Sequence, residues 1–351
     1  MKIEPYCPFL LDLTPLPTPV AARSCESSAG EKRSEPSQHG GADKRFCVML
    51  GGGGWYGNFF LGTVKFLMEH FPREFLDDKF CFAGESSGAA LASYATYGEE
   101  RLRMSIDDII YQHRLVCDEA YNRLDRGFFG LQKLGQKAYY ACLERLTDAD
   151  VAACADRLLM TTNVLMSECA LKMRCHTITD IQSVAELKYA VNCSAYIPFL
   201  MPGGDKWPRI DGMRTIDGGF SAAGSVPCFD NTVPIYLLAC GAPLENSIPP
   251  IFAKPAFTPA DPDPYYMINM VPAPSLAAFD AMVTDGYNRA KEYFSGDYWK
   301  RQVAAWLDSR GTTASPRKIV LGEKMLQEKH CKRPKKRAKT PVTTTRRKRR
   351  R

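Results

Sequence analysis

The sequence contains no long run of apolar residues. A membrane-spanning helix needs about 18 of them in a row, and no segment of the 351 residues reaches that length. The first residues, Met1 to Pro5, also lack the basic and then apolar order of a secretory signal. We therefore expect an intracellular, cytoplasmic protein without a spanning helix.

Metal-ligand and disulfide patterns are missing as well. The 13 cysteines are odd in number, and no Cys-x-x-Cys pair occurs among them. Without a secretion signal, this usage indicates free thiols in a reducing compartment rather than disulfides or a zinc ribbon. We expect no bound metal and no cofactor.

Acidic residues are absent from the end of the chain. Residues 332–351 hold twelve Lys or Arg in two clusters with a Thr-rich spacer, which leaves 34 basic and 39 acidic residues elsewhere. Like charges repel, so we expect this basic tail to be disordered. We expect the basic tail to bind either an import receptor, which would bring the protein to the nucleus, or anionic lipid head groups. No aromatic residue interleaves the basic ones to stack on bases, so no specific nucleic acid is expected.

Composition divides the chain into three parts. Residues 1–44 are rich in Pro, Ser, Gly and charge, so we expect them to be disordered. Residues 45–300 carry the ordered domain, and 301–351 form an extension that ends in the basic tail. The 45% hydrophobic residues are enough for one large core.

Alternating elements in the ordered part predict a parallel sheet. Phe46–Leu50 has the pattern of a buried strand, residues 58–71 that of a helix, and residues 80–83 that of a second strand before a small-residue helix. This order favours an α/β fold with helices on the faces of the sheet. The pattern also predicts strands at 172–177, 189–191 and 235–239, an irregular stretch at 243–275 and a helix at 277–294.

A nucleophile elbow is the first candidate chemical motif. Residues 84–88 read Gly-Glu-Ser-Ser-Gly, which fits Gly-x-Ser-x-Gly between a strand and a helix. The turn projects the serine oxygen from the sheet, and the glycines avoid collisions with neighbouring backbone. We therefore predict Ser86 as a nucleophile.

A glycine loop follows the first strand. Its amides, from Gly52, Gly53, Gly54 and Gly57, can form an oxyanion hole because no Cβ limits the approach of negative charge. The same glycines also fit a dinucleotide-binding fingerprint. That fold needs an acid after its second strand, where the serine elbow stands instead, so a dinucleotide-binding protein is the more remote alternative.

The base that activates the serine is either a histidine or a carboxylate. Of the five histidines, only His113, His176 and His330 follow Ser86, so the order Ser, acid, His of a triad has little support. His176, on a predicted strand, fits a core histidine better than a base. Asp217 stands before Gly218 and Gly219 at a predicted strand end, where an ordinary Asx turn is also possible.

These motifs, in this order, resemble the patatin-like phospholipase family, most closely its adipose triglyceride lipase and adiponutrin branch. The likeness covers the glycine loop with residues 54–62, the stretch 190–199, Ser86 in Gly-x-Ser-x-Gly-Ala and Asp217 in Asp-Gly-Gly. It implies a three-layer α/β/α domain with a central, mostly parallel sheet. It also implies that Ser86 attacks an ester of an acylglycerol or phospholipid while Asp217 takes its proton.

Two positions depart from the family pattern. Glu85 precedes the nucleophile where the family has a small or uncharged residue, and it either alters the field at the serine or points into solvent. The segment after Asp217 lacks the usual Asn and early Pro. A catalytically weak or silent lipid-binding member, or a transacylase that uses a lipid alcohol in place of water, is therefore the alternative function.

Aromatic residues near the motifs predict a surface that contacts lipid. Trp55 and Tyr56 lie in the glycine loop, and Phe128 and Phe129 form a pair between two glycines. Such residues suit the surface of a membrane or a lipid droplet, with which we expect peripheral association.

Overall fold

A computed structural model describes residues 45–122, 131–166, 173–198, 207–220, 229–237 and 274–310. Its centre is a sheet in the order β5-β6-β3-β2-β1-β7, with β4 paired to β3 off this path. The strands in the described ranges are β1 (Phe46–Leu50), β2 (Phe80–Glu85), β3 (Leu158–Leu165), β4 (Met173–Ile178), β5 (Arg209–Ile210), β6 (Met213–Ile216) and β7 (Val233–Leu237).

The middle of the sheet is parallel. Strand β1 pairs in parallel with β2 and β7, and β2 with β3, whereas β4 and β6 run antiparallel to β3. Every residue of β1 is buried, because helices cover both faces of a parallel sheet. Leu50 of β1 stands level with Gly84 of β2, so the glycine loop and the serine elbow leave the same edge of the sheet.

Helices flank this sheet to give a three-layer α/β/α domain. Several begin at a hydroxyl cap, such as Ser105, Ser183 and Ser275, whose side chains accept a backbone N–H from the first turn. The helices are α1 (Asn58–His70), α2 (Arg73–Lys79), α3 (Ser87–Leu102), α4 (Ile106–Tyr121), α5 (Leu131–Leu143), α6 (Asp148–Ala152), α7 (Val184–Ser194), α8 (Leu276–Phe294) and α9 (Asp297–Ser309). None of the helices in these ranges combines the length and apolarity needed to cross a bilayer.

Helix α9 continues the domain past residue 300. Trp299 and Trp306 are buried, and the Trp306 ring lies 5.5 Å from that of Phe75 in α2. The predicted boundary at residue 300 therefore falls inside a packed helix. Residues 1–44, the basic tail and most of the stretch 243–275 lie outside the described residues.

The structure confirms most predicted elements and corrects one. Residues 189–191, predicted as a strand, belong to α7 instead. Ser183 caps this helix, and Leu187, Ala190 and Val191 are buried at helical spacing. The short apolar run Tyr189-Ala190-Val191 is compatible with a strand as well as a helix, and the cap decides between them.

Helices α1 and α8 cross with almost no space between their backbones. A Cβ on Gly286 would overlap the carbonyl oxygen of Phe59, and a Cβ on Gly62 would overlap that of Val283. Thr63 Oγ1 also donates a hydrogen bond to the Gly286 carbonyl (3.4 Å). This contact fixes α1, and with it the glycine loop that precedes α1.

We expect Gly286→Ala to destabilise the protein by about 3 kcal/mol, because the added methyl must push two backbones apart. Urea unfolding followed by circular dichroism measures the change. The matched control is Gly296→Ala, where the nearest atom to an added Cβ is 3.9 Å away and the loss of a glycine N-cap costs about 1 kcal/mol or less. Equal effects of the two substitutions would contradict the close crossing.

Candidate active site

Ser86 lies at the turn between β2 and α3, in a conformation that side chains rarely adopt. Its φ of 54° and ψ of −129° make it a strained elbow. Gly88 allows this turn to approach β1, because a Cβ there would overlap the carbonyl oxygen of Leu50. The N–H of Ser86 donates to Ser194 Oγ (2.9 Å), which in turn donates to the carbonyl of Thr161 (2.6 Å). The elbow is thus held by α7 and β3.

Asp217 lies immediately after β6 and faces the elbow. Ser86 Oγ donates to Asp217 Oδ2 at 2.5 Å, and both residues are buried. The other carboxylate oxygen, Oδ1, accepts the N–H of Gly219 (2.8 Å). The backbone of this turn is held by Asn163, whose Nδ2 donates to the carbonyls of Asp217 (2.7 Å) and Gly218 (3.0 Å). The structure therefore brings together the serine and the carboxylate that the motifs singled out.

Burial raises the pKa of Asp217 to about 7. Hydrogen bonds from Ser86 and Gly219 favour the ionised form and oppose this shift, while the nearby charge of Glu85 adds to it. A carboxyl with this pKa is ionised for part of the time near neutral pH. It can therefore accept a proton from a hydroxyl more readily than an ordinary aspartate can.

The glycine loop lies against the serine. A Cβ on Gly52 would be only 3.2 Å from Ser86 Cβ. Gly54 has a φ of 53°, which favours glycine, and it begins a short 3-10 turn that ends at Gly57. Among the described residues, no group accepts a hydrogen bond from the N–H of Gly53 or Gly54. These two amides remain available beside the nucleophile.

Gly57 serves close packing in this structure. A Cβ on it would overlap Ser87 Oγ in the first turn of α3. The turn is also held by Asn58, whose Nδ2 donates to the Trp55 carbonyl (2.6 Å). The loop is therefore fixed to both α1 and α3.

The partly buried Glu85 points its carboxyl toward the glycine loop. Its Oε1 accepts the N–H of Gly52 at 3.2 Å. Burial raises the pKa of this carboxyl, and the hydrogen bond from Gly52 opposes the shift. The sequence left the direction of this side chain open, and the structure places its carboxyl on the glycine loop.

Of the three histidines that follow Ser86, His113 and His176 do not hydrogen-bond to the serine, and His330 lies outside the described residues. In the described part of the chain, His113 contacts Asn58 Oδ1 through Nδ1 (3.3 Å) and Tyr94 Oη through Nε2 (3.1 Å). Burial lowers its pKa to about 3, so it stays neutral. His176 stands on β4 opposite Thr162, and burial lowers its pKa as well.

Of the four aromatic residues predicted to contact lipid, the structure describes two. Trp55 and Tyr56 are partly buried beside the glycine loop, while Phe128 and Phe129 lie outside the described residues. Phe220, which the motifs did not single out, is 47% exposed and follows Asp217 by three positions. It adds an apolar side chain close to the site.

Strand β3 supplies polar residues that the sequence interpretation missed. Thr161, Thr162 and Asn163 are buried in the middle of an otherwise apolar strand. Thr162 Oγ1 donates to the carbonyl of Ile216 (2.9 Å), just before Asp217. The signal in the sequence that could have indicated their role is the run of three polar residues inside an otherwise apolar segment. Among the described residues, no group of His, Cys, Asp or Glu is arranged to hold a metal ion.

Comparison with known proteins identifies a family for this fold. Residues 48–230 match the family model of the patatin-like phospholipases. No curated protein sequence matches the chain closely enough to count as a relative. One similar solved structure is VipD from Legionella pneumophila, with 12% identity, coverage of 72% of this chain and 67% of VipD, and a TM-score of 0.37. Another is the ExoU–SpcU complex of the type III secretion system of Pseudomonas aeruginosa, with 14% identity, coverage of 76% and 59%, and a TM-score of 0.36.

The α/β/α layers and the serine elbow after β2 are the fold in which this family match lies. The family match covers more than half of the chain. The protein belongs to the patatin-like phospholipase family. It spans about three fifths of the matched ExoU chain.

The raised pKa of Asp217 predicts how esterase activity depends on pH. Only the ionised carboxylate accepts a proton, so activity should rise with pH through a midpoint near 7. Initial rates on a short, water-soluble ester at constant ionic strength, from about pH 5 to about pH 8, give the profile. Circular dichroism at each pH checks that the protein stays folded. A flat profile would contradict the role of Asp217 as the base.

Proposed function

We propose that this protein is a serine lipid acyl hydrolase that cleaves acyl esters of acylglycerols or phospholipids. The observation that carries the proposal is the 2.5 Å hydrogen bond from Ser86 Oγ to Asp217 Oδ2. It joins a nucleophile on a strained elbow to a buried carboxylate of raised pKa. A serine hydroxyl needs such an adjacent base before it attacks an ester.

The reaction proceeds in two steps. Ser86 Oγ attacks the ester carbonyl while Asp217 takes its proton, and the amides of Gly53 and Gly54 stabilise the oxyanion. Asp217 returns the proton to the departing alcohol, which leaves an acyl group on Ser86. Water then attacks this acyl-enzyme, Asp217 removes its proton, and the fatty acid leaves as Ser86 recovers its hydrogen. A lipid alcohol in place of water would give the transacylase reaction.

Apolar side chains around the site support a lipid substrate. Phe220 is exposed near Asp217, and Trp55 and Tyr56 lie partly buried in the glycine loop. Aromatic residues of this kind bury well among acyl chains. We propose peripheral binding to a membrane or a lipid droplet from the cytoplasmic side. Membership of the adipose triglyceride lipase and adiponutrin branch stays a prediction.

Labelling with a fluorophosphonate tests the proposed chemistry without a chosen substrate. We expect covalent labelling of the wild type and none of Ser86→Ala. Asp217→Asn should lower both labelling and ester hydrolysis by about 100-fold or more, since nucleophile and base act as a unit. The matched control is Ser87→Ala, which removes a buried neighbouring hydroxyl that has no hydrogen-bond partner in the described structure. Loss of labelling in Ser87→Ala with retention in Ser86→Ala would reject the assignment.

The basic tail gives a separate prediction about location. Twelve basic residues in 332–351 should attract an import receptor or anionic lipid. Residues 330–351 fused to a fluorescent protein should therefore accumulate in the nucleus or bind anionic liposomes in a salt-sensitive manner. The control fusion replaces the basic residues with Gln. A cytosolic fusion that ignores liposomes would reject both uses.

A further inference from the structure

A carboxylate occupies the amide next to the proposed nucleophile. Glu85 Oε1 accepts the N–H of Gly52 (3.2 Å), and Gly52 lies so close to the serine that a Cβ on it would be 3.2 Å from Ser86 Cβ. An oxyanion hole stabilises negative charge through amides of this kind. In this structure, a side chain of the protein itself uses one of them.

The position of Glu85 is fixed by its surroundings. It ends β2 in register with Thr161 of β3. A Cβ on Gly218, in the turn after Asp217, would lie only 2.9 Å from Glu85 Cβ. The side chain therefore lies between the turn that carries Asp217 and the glycine loop, and it reaches the loop with its carboxyl group.

The charges around Glu85 have the same sign as its own. From the turn after β6 it faces Asp217, and the charge of Glu85 contributes to the raised pKa of Asp217. The glycine loop offers the Gly52 amide, β3 offers the neutral Thr161, and Tyr139 of α5 faces Asp217. Among the described residues, no Lys, Arg or His forms an ion pair with Glu85. A negative charge here is poorly compensated, and a developing oxyanion would add to it.

We infer that Glu85 is an internal inhibitor of the active site, because its carboxyl holds the Gly52 amide that would otherwise join the amides of Gly53 and Gly54 in binding the oxyanion. The inference rests on the proposed function of Ser86 and Asp217. No bond is made or broken at Glu85. When the Glu85 carboxyl moves away, the Gly52 amide becomes a further donor to the oxyanion that Gly53 and Gly54 bind, so its release increases the rate of acylation.

Two substitutions separate the charge of Glu85 from its occupancy of the amide. Glu85→Gln keeps an oxygen that can accept the Gly52 N–H but has no charge. Glu85→Ala removes both. The exposed Glu74 of α2 supplies the matched control, Glu74→Gln. Each variant is labelled with the fluorophosphonate in single-turnover conditions over a pH series, with Ser86→Ala as the blank and thermal unfolding as the check on folding.

We expect Glu85→Ala to accelerate labelling about tenfold or more, because one oxyanion donor contributes up to roughly 100- to 1,000-fold to the rate. Glu85→Gln should give a smaller acceleration. It should also move the midpoint of the rate to lower pH, because the charge of Glu85 no longer raises the pKa of Asp217. Glu74→Gln should behave as the wild type does. A purely structural role of Glu85 would change thermal unfolding without the shift in midpoint.

Two results would overturn the inference. Unchanged labelling in both Glu85 variants would show that its carboxyl does not obstruct the loop. Slower labelling in folded Glu85→Ala and Glu85→Gln would show that it supports the loop instead. Failure of every protein with Ser86 to label more than Ser86→Ala would reject the proposed function itself, and this outcome is distinct from the other two.

Discussion

The hydrogen bond between Ser86 and Asp217 is the interaction on which the site depends. It joins two positions 131 residues apart in the chain, one at the end of β2 and the other at the end of β6. Strand β3 lies between them and holds both: Thr161 accepts from Ser194 under the elbow, and Asn163 fixes the turn that carries Asp217. The polar centre of β3 is therefore part of the site, although none of its side chains is expected to react.

Burial is the second constraint, and it acts on both carboxyls of the site. It raises the pKa of Asp217 to about 7 and also raises that of Glu85. A buried carboxylate without a cation is costly, so the hydrogen bonds that it accepts become important. Asp217 accepts from a hydroxyl and an amide in its own turn, whereas Glu85 accepts from the glycine loop. The cost of burying charge gives Asp217 the pKa of a base. In the inference drawn above, it also holds the Glu85 carboxyl on an amide that an oxyanion would use.

The elements that the sequence predicted well are those whose signal is local. Strands β1 and β2 are continuous apolar runs next to glycines, and α1 and α8 have helical periodicity. Residues 189–191 were predicted wrongly because three residues cannot distinguish the two periods. Strand β3 was missed because its centre is polar. Thr162 Oγ1 donates to backbone carbonyls at the ends of α7 and β6, and Asn163 Nδ2 donates to those of Asp217 and Gly218.

The sequence by itself determined the candidates: a serine between two glycines, an aspartate before two more, and a glycine loop after the first strand. It did so because these turns require particular residues at fixed local spacing. Only the tertiary structure decided which candidates meet. Asp217 contacts Ser86, whereas His113 and His176 are buried elsewhere, and the Glu85 carboxyl binds the Gly52 amide. These outcomes follow from strand order, register and burial, which arise from contacts between distant parts of the chain.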